Sequence, residues 1–375
     1  MYDVAVIGLG AIGSSAAATL AERGLSVLGL DRFHPPHSMG SSHGGTRVIR
    51  EAYYRNSLYQ PLVEAAFRSW RDLEARTGTH LMTPTGALMI GPPDGRVFAG
   101  SLGSARDHHL GYEVMTPAEV SGRFPAFHMA KGTLAVFEPA AGILDIDACL
   151  EATLSIASAA GAELRFDEPA EGWSASADGV RVQTARAVYR ARRVVLAAGA
   201  WTEKLSGDLV LPLEVERTIQ FWFEPAETGD PSRLDLGTCP VWVWEYDDRE
   251  EWYGFPRSGG PVKTGIHLKA GRTTDADTID RDVAPVEKDD MRDLIRRFLP
   301  DAAGECTGAD VCMYTSTPDR RFVLDRHPAH PEVVLFAGGS GHAFKFCRVL
   351  GELLADLTTD TDPAFDLAPF RATRF

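Results

Sequence analysis

The sequence predicts an α/β protein in which a Rossmann-type dinucleotide-binding domain, discontinuous along the chain, is interrupted by a substrate domain built on an antiparallel sheet. Three observations carry this expectation. A glycine fingerprint joins an apolar strand to a helix near the start; strand and glycine-turn patterns return in the middle and at the end; and aromatic or alternating runs fill much of 206–300. At 375 residues the chain also exceeds the ~250–300 residues at which single cores stop growing, so two domains are expected.

In order, YDVAVIG reads as a buried parallel strand, GLGAIGSSAAATLAERG as a glycine turn and a helix ending at Gly24, and LSVLGLD as the second strand. Gly8, Gly10 and Gly13 form G-x-G-x-x-G in this context, and Asp31 closes the next strand where an acid meets a ribose hydroxyl. The glycines allow a tight turn and close backbone approach, and the helix N-terminus offers free N–H groups to a pyrophosphate. This motif does not separate NAD from FAD. SLYQPLVEAAFRSWRDLEART has amphipathic helical spacing, and DIDACLEATLSIASAAG reads as another helix, capped by Asp145 or Asp147 and stopped at Gly161. RRVVLAAGAW returns to a buried strand. RTIQFWFEP, VWVWEY, EWYGFP and VKTGIHL read as antiparallel strands, and EVVLFAGGSGHAFKF as strand, turn and helix start. Residues 1–80, 145–205 and 310–375 are thereby assigned to the nucleotide domain and 81–144 and 206–309 to the substrate domain, with the active site expected at their interface.

The balance of 38 Lys plus Arg against 52 Asp plus Glu, a net charge of -14, argues against a nucleic-acid backbone or an anionic membrane as partner. No apolar run approaches the roughly 20 residues a membrane helix needs, and the start lacks the basic region of a signal peptide, so the expected location is the cytoplasm. Five cysteines without regular spacing suggest neither a disulfide framework nor a metal site. Cys149 is expected on a helix, Cys239 and Cys306 in loops, and Cys347 just past a turn.

One short stretch stands out in this acidic chain: MGSSHGGTRVIR places His43, Arg47 and Arg50 within eight residues. Together with YGFP (253–256), VCMYT (311–315) and GHAFKF (341–346), GSSHGGTRVIR resembles the monomeric sarcosine oxidase family of flavoenzymes, over nearly the whole chain. The resemblance implies a two-domain FAD protein related to D-amino acid oxidase, with FAD attached through its 8α carbon to Cys312. It implies that Lys263 stands over the flavin and promotes oxygen reduction, that His267 lies beside the substrate, and that Arg50 and Lys345 hold the substrate carboxylate. His43 and Arg47 would lie against the flavin, Tyr253 and Tyr314 would line the substrate cavity, and Gly339 and Gly341 would let the backbone approach the flavin beside Lys345. Read without the resemblance, Cys312 is an inert buried thiol, and Lys263 and His267 are two side chains on one face of a strand. Thr46, Arg47 and Arg50 are expected at the entrance to a helix or a tight loop, where residues three apart share a face.

The activity implied is oxidation of a secondary amino acid, sarcosine or another N-methyl amino acid, to an imine, with O2 reduced to H2O2. The expected partners are a small amino acid and O2, and the expected state is a monomer. Ser42 and Gly45 stand where family members often have His and Asp, and AYYRNSLY (52–59) replaces a glycine-rich AYGEG run, so the bulkier Tyr53, Tyr54 and Arg55 leave the substrate's size open. Alternatives are an FAD-dependent amino acid dehydrogenase, a D-amino acid or glycine oxidase-like enzyme, and a nicotinamide dehydrogenase. An RNA-modifying oxidase-like domain is disfavoured by the acidic balance.

Overall fold

The computed structural model describes residues 1–247, 250–267 and 273–375. Tyr2–Ile7, buried from Val4 onward, pairs in parallel with Val27–Leu30 on one side and Val188–Leu196 on the other. Glu163–Arg165 extends the sheet beyond Val27–Leu30, and Val333–Ala337 beyond the second half of Val188–Leu196, both in parallel; Val323–Arg326 adds an antiparallel edge. The first half of Val188–Leu196 pairs instead with the meander of Ala170–Ser176 and Gly179–Thr184, completing eight strands. Strands covered on both faces must be apolar throughout, which is why VAVI, VVL and VVLFA carry no alternation.

Helices Ala11–Glu22, Gln60–Thr77, Ile146–Ala159 and Cys347–Thr358 share one apolar core with this sheet, built around Leu20, Trp70, Leu150 and Leu350. Asp145, not Asp147, caps its helix by accepting from the Ala148 N–H at 3.0 Å. The helix expected from residue 57 begins as a single 3-10 turn, Ser57–Tyr59, capped by Asn56; the α-helix proper starts at Gln60 with Pro61 in its first turn, where a missing N–H costs nothing.

The second sheet has nine strands and is fed by distant segments. Glu214–Phe223 pairs antiparallel with Cys306–Ser316 on one side and with Val262–His267 and Thr273–Thr274 on the other; Glu250–Phe255 and Val241–Asp247 follow. Val241–Asp247 then runs parallel to Ala87–Gly91, a departure from the all-antiparallel expectation. Some 150 residues separate these two strands, so no hairpin turn dictates their direction. Cys306–Ser316 also moves residues 310–316 out of the nucleotide sheet to which they were assigned, and Cys306 opens a strand rather than lying in a loop. Leu268, last in the run VKTGIHL, lies outside the described residues.

A three-stranded sheet of Thr46–Ile49, Gly142–Asp145 and Met82–Pro84 bridges the two larger ones in sequence. It corrects the expectation of a helix entrance or a tight loop at Thr46, Arg47 and Arg50: Thr46 and Arg47 lie on a strand and Arg50 just after it. Three of the four residues Thr46–Ile49 are β-branched, and Gly44 and Gly45, at φ +88° and +78°, turn the chain into an extended run. Among the described residues, no helix is long and apolar enough to cross a membrane.

Candidate active site

A cavity of about 430 Å³ runs from the first turn of the helix Ala11–Glu22 to the face of the nine-stranded sheet. At its first end Gly8 adopts φ +92° and packs so closely that a Cβ would sit 2.5 Å from the Ala197 carbonyl oxygen. A Cβ on Gly13 would lie 1.7 Å from the Gly8 oxygen, so Gly13 seats the helix on the turn and does not itself line the cavity. Gly10 does line it, beside the open helix N-terminus. Asp31 is fixed at the rim by accepting from the Leu9 N–H at 2.6 Å and the Phe33 N–H at 2.8 Å.

In the middle, residues 40–47 are laced to two strands of the second sheet. Lys263 Nζ donates to the carbonyl oxygens of Gly44 (2.6 Å) and Thr46 (2.9 Å) and to Thr46 Oγ1 (3.1 Å). Burial and the Arg47 guanidinium push the Lys263 pKa well below that of an ordinary lysine. Three oxygen acceptors match the three N–H donors of an ammonium and oppose that push. Arg47 donates to the carbonyls of Thr46 and Ser41, both at 2.8 Å, and Ser41 Oγ donates to the Met313 carbonyl at 2.7 Å. Cys312 is 2% exposed, lines the cavity, and holds its Sγ 3.9 Å from the Ser41 oxygen. His43 is buried beneath this loop rather than on the cavity wall; burial first, then Arg47 and Lys263, lower its pKa to about 3, so its ring is neutral.

The same wall carries Thr218, Gln220 and Thr315, whose side-chain polar atoms are buried without a hydrogen-bond partner among the described residues. These were missed from sequence, yet their signal was there. In Glu214–Phe223, Ile219, Phe221 and Phe223 go to the core, so the even-numbered Thr218 and Gln220 must face the other way.

The far end is lined by Arg50, Tyr54, Arg55, Tyr253, His267, Tyr314 and Lys345. Arg50 is 4% exposed, donates to the Ala52 carbonyl, and sets its guanidinium carbon 4.9 Å from the Tyr53 ring centroid and 4.3 Å from that of Tyr54. Lys345, in the 3-10 turn Phe344–Phe346, has its Nζ 5.7 Å from the same Tyr53 centroid and 3.2 Å from the His342 carbonyl oxygen. Burial, then Arg50 and Arg55, push the Lys345 pKa well down. Among the described residues, neither Arg50 nor Lys345 forms an ion pair with a carboxylate. Fully buried Glu138 shapes this turn by accepting from the Ala52 N–H at 2.9 Å and from the Glu51 N–H. His267 Nδ1 lies 3.0 Å from the Tyr314 hydroxyl, and its Nε2 contacts Arg55. Burial and the neighbouring cations hold His267 neutral, while burial pushes the Tyr253 phenol up to about 12.

Gly341, at φ +73°, passes so near this group that a Cβ would meet the Tyr314 and His267 rings at 2.6 and 2.7 Å; Gly339 lines the cavity beside it. The structure thus brings to one cavity every residue singled out in the sequence except Gly13, His43 and Lys263, which sit immediately behind its walls. Of the 52–59 run, Tyr54 and Arg55 line it and Tyr53 does not; Glu251, Thr218, Gln220 and Thr315 are additions. The glycine cradle, the open helix N-terminus and the unpaired polar groups facing a flat wall are what FAD, with a diphosphate and a polar heteroaromatic ring, would fit.

Comparison with known proteins agrees. Residues 3–357 match the family model DAO, FAD dependent oxidoreductase. The chain is 40% identical over 377 positions to monomeric sarcosine oxidase of Streptomyces avermitilis, covering all of this chain and 97% of that protein. It is 32% identical to N-methyl-L-tryptophan oxidase of Citrobacter koseri, covering all of this chain and 99% of that one. Among solved structures, NikD, an unusual amino acid oxidase essential for nikkomycin biosynthesis, superposes with a TM-score of 0.86 at 26% identity, over 99% of this chain and 97% of that one. The chain therefore belongs to the DAO family of FAD-dependent oxidoreductases, within the group of monomeric sarcosine oxidase and N-methyl-L-tryptophan oxidase.

Proposed function

We propose that this protein oxidises the C–N bond of a secondary amino acid, sarcosine or another N-methyl amino acid, to an imine, and that O2 takes up the electrons to give H2O2. The observation that carries the reading is the pair Arg50 and Lys345. Two buried basic side chains approach one aromatic ring, neither ion-paired with a carboxylate among the described residues, at the end of a cavity that starts at a dinucleotide fingerprint. Buried charge of one sign calls for its opposite, and an amino acid carboxylate supplies it: Arg50 as a planar fork, Lys345 as a point charge.

With the carboxylate held there, Tyr253, Tyr314 and neutral His267 surround the amine end. Their rings exclude water, and the nearby cations favour the unprotonated amine, whose lone pair the reaction needs. Bound FAD supplies the two-electron acceptor. Lys263, fixed by three oxygens under the 40–47 loop, provides a stationary positive charge near the wall where electrons pass to O2. The family resemblance implies a thioether joining Cys312 Sγ to the flavin, and the buried Sγ on the cavity wall is consistent with it. The division of the chain into a discontinuous FAD domain and a substrate domain is part of the same proposal, with 310–316 now grouped with the substrate sheet.

Anaerobic mixing of the purified holoenzyme with sarcosine and other N-methyl amino acids should bleach the flavin, and admitting air should yield one H2O2 per O2 consumed. An absorbance unchanged by every N-methyl amino acid would sink the reading. Yellow colour that stays with acid-precipitated protein, and is lost from it in Cys312→Ser, checks the thioether.

A further inference from the structure

Arg55 has no part in the carboxylate clamp, yet its side chain, 11% exposed, lines the same end of the cavity. The Tyr54 ring stands between two guanidiniums, with Arg50 Cζ 4.3 Å and Arg55 Cζ 5.4 Å from its centroid. The Tyr54 hydroxyl donates to Glu251 Oε2 at 2.6 Å, Arg55 Nη2 reaches the same oxygen at 3.3 Å, and Arg96 contacts Oε1. Glu251, 1% exposed, is the one carboxylate among the described residues that line this end. The other lining acids belong to the nucleotide end: Asp31 holds the Leu9 N–H, Asp277 holds Trp201 and Lys204, and Glu171 lies on the eight-stranded sheet.

Among the described residues, Arg50, Arg55 and Lys345 line this end together with one carboxylate, Glu251; Arg96, half-exposed, contacts Glu251 from outside the cavity, and buried Glu138 lies behind the wall near Arg50. A substrate carboxylate on Arg50 and Lys345 leaves Arg55, paired with Glu251, as the remaining guanidinium on the cavity wall. Arg55 also retains donors to give. Its contacts to Glu251 and His267 both use Nη2, and among the described residues Nε and Nη1 make no hydrogen bond. His267 and Glu251 hold the guanidinium in place, so little side-chain entropy is lost when it binds an anion.

We propose that Arg55 is a second anion contact, and that the preferred substrates are secondary amino acids carrying a second carboxylate, the α-carboxylate on Arg50 and Lys345 and the distal one on Arg55. This rests on the oxidase reading above and adds the substrate's chemical class to it. Glu251 then stays with Arg96 and Tyr54, and would favour a distal cation on a substrate only where Arg55 is absent.

The test uses the FAD-loaded enzyme and matched pairs of N-methyl amino acids: N-methylglutamate against N-methylnorvaline, and N-methylaspartate against N-methylalanine. In anaerobic flavin reduction the acidic member should show a second-order rate constant at least tenfold higher. In Arg55→Gln the acidic-to-neutral ratio should fall at least tenfold, and Arg55→Lys should recover part of it. Equal rates within the wild-type pairs, or an acidic preference that survives Arg55→Gln, overturns the proposal. Should the variants misfold, calorimetric titration of the wild-type enzyme with two unreactive ligands, glutarate and butyrate, decides: at least tenfold tighter binding of glutarate supports it, and equal binding overturns it. Bleaching by neutral members without acidic preference removes this inference alone. Bleaching by no member removes the oxidase reading and the substrate class with it.

Discussion

Arg50 and Lys345 act as a unit whose protonation depends on what it holds. Replacing Arg50 with Gln leaves Lys345 as the one clamp cation, and the substrate dissociation constant should rise about a hundredfold, roughly 3 kcal/mol for a lost charge-assisted fork. The flavin should stay attached, because Arg50 contacts Ala52, Tyr53 and Tyr54 and not Cys312; titration of the flavin spectrum with substrate reads both. Lys345 supplies the pH dependence. Its pKa is lowered in the free enzyme by burial and by Arg50 and Arg55, and a bound carboxylate raises it again. At pH values above the lowered pKa, binding of an amine-free carboxylate such as butyrate must therefore take up a proton, which calorimetry in buffers of different ionisation enthalpy measures. Zero uptake across pH 6 to 9 would remove Lys345 from the clamp. At this scale the residue types were legible because the motifs GSSHGGTRVIR and GHAFKF are specific. Arg55 and Glu251 were not legible as a pair, since 196 residues separate them and nothing local marks either one.

Elements place these groups, and their glycines set the tolerances. The helix Ala11–Glu22 sits on its turn only because Gly13 has no side chain: a Cβ 1.7 Å from a backbone oxygen cannot be relieved by a rotamer change. Gly13→Val should therefore give protein that folds poorly and retains little FAD, whereas Gly24→Ala, where a Cβ meets nothing, should cost only the strain of φ +83°, about 1 kcal/mol. Flavin content per protein and urea midpoints separate the two. Gly341→Ala should instead spare the fold and damage the substrate end, by displacing Tyr314 and His267; unaltered kinetics in that variant would show that the two rings move freely. The spacing of Thr46, Arg47 and Arg50 fits a helix entrance or a tight loop as well as the strand at 46–49. What decided it was pairing with Gly142–Asp145, nearly a hundred residues away.

For the molecule as a whole, closing two sheets around one cavity buries His43, His267 and His342, each with its pKa pushed below 6.5 by burial and neighbouring cations. In the unfolded chain each takes up a proton near pH 6.5; in the folded protein each stays neutral to lower pH, about 3 for His43. The unfolded state thus binds more protons below pH 6.5, so stability is full above that pH and falls as pH drops, by at most about 1.4 kcal/mol per unit for each group. Urea midpoints should decline from pH 7 to 5, and His43→Asn should flatten part of the slope; a midpoint independent of pH would contradict the burial of these rings as neutral groups. The sequence by itself determined the nucleotide fold, because fingerprint, helix spacing and apolar strands are local patterns that any chain must satisfy near its own backbone. Only the tertiary structure decided the parallel pairing of Val241–Asp247, the membership of residues 306–316 in the second sheet, and the meeting of Arg50, Arg55, Lys345 and Glu251 at the cavity's end. Those depend on distances between segments remote in the chain, and charge balance in a cavity is a sum over everything that folding brings to its walls.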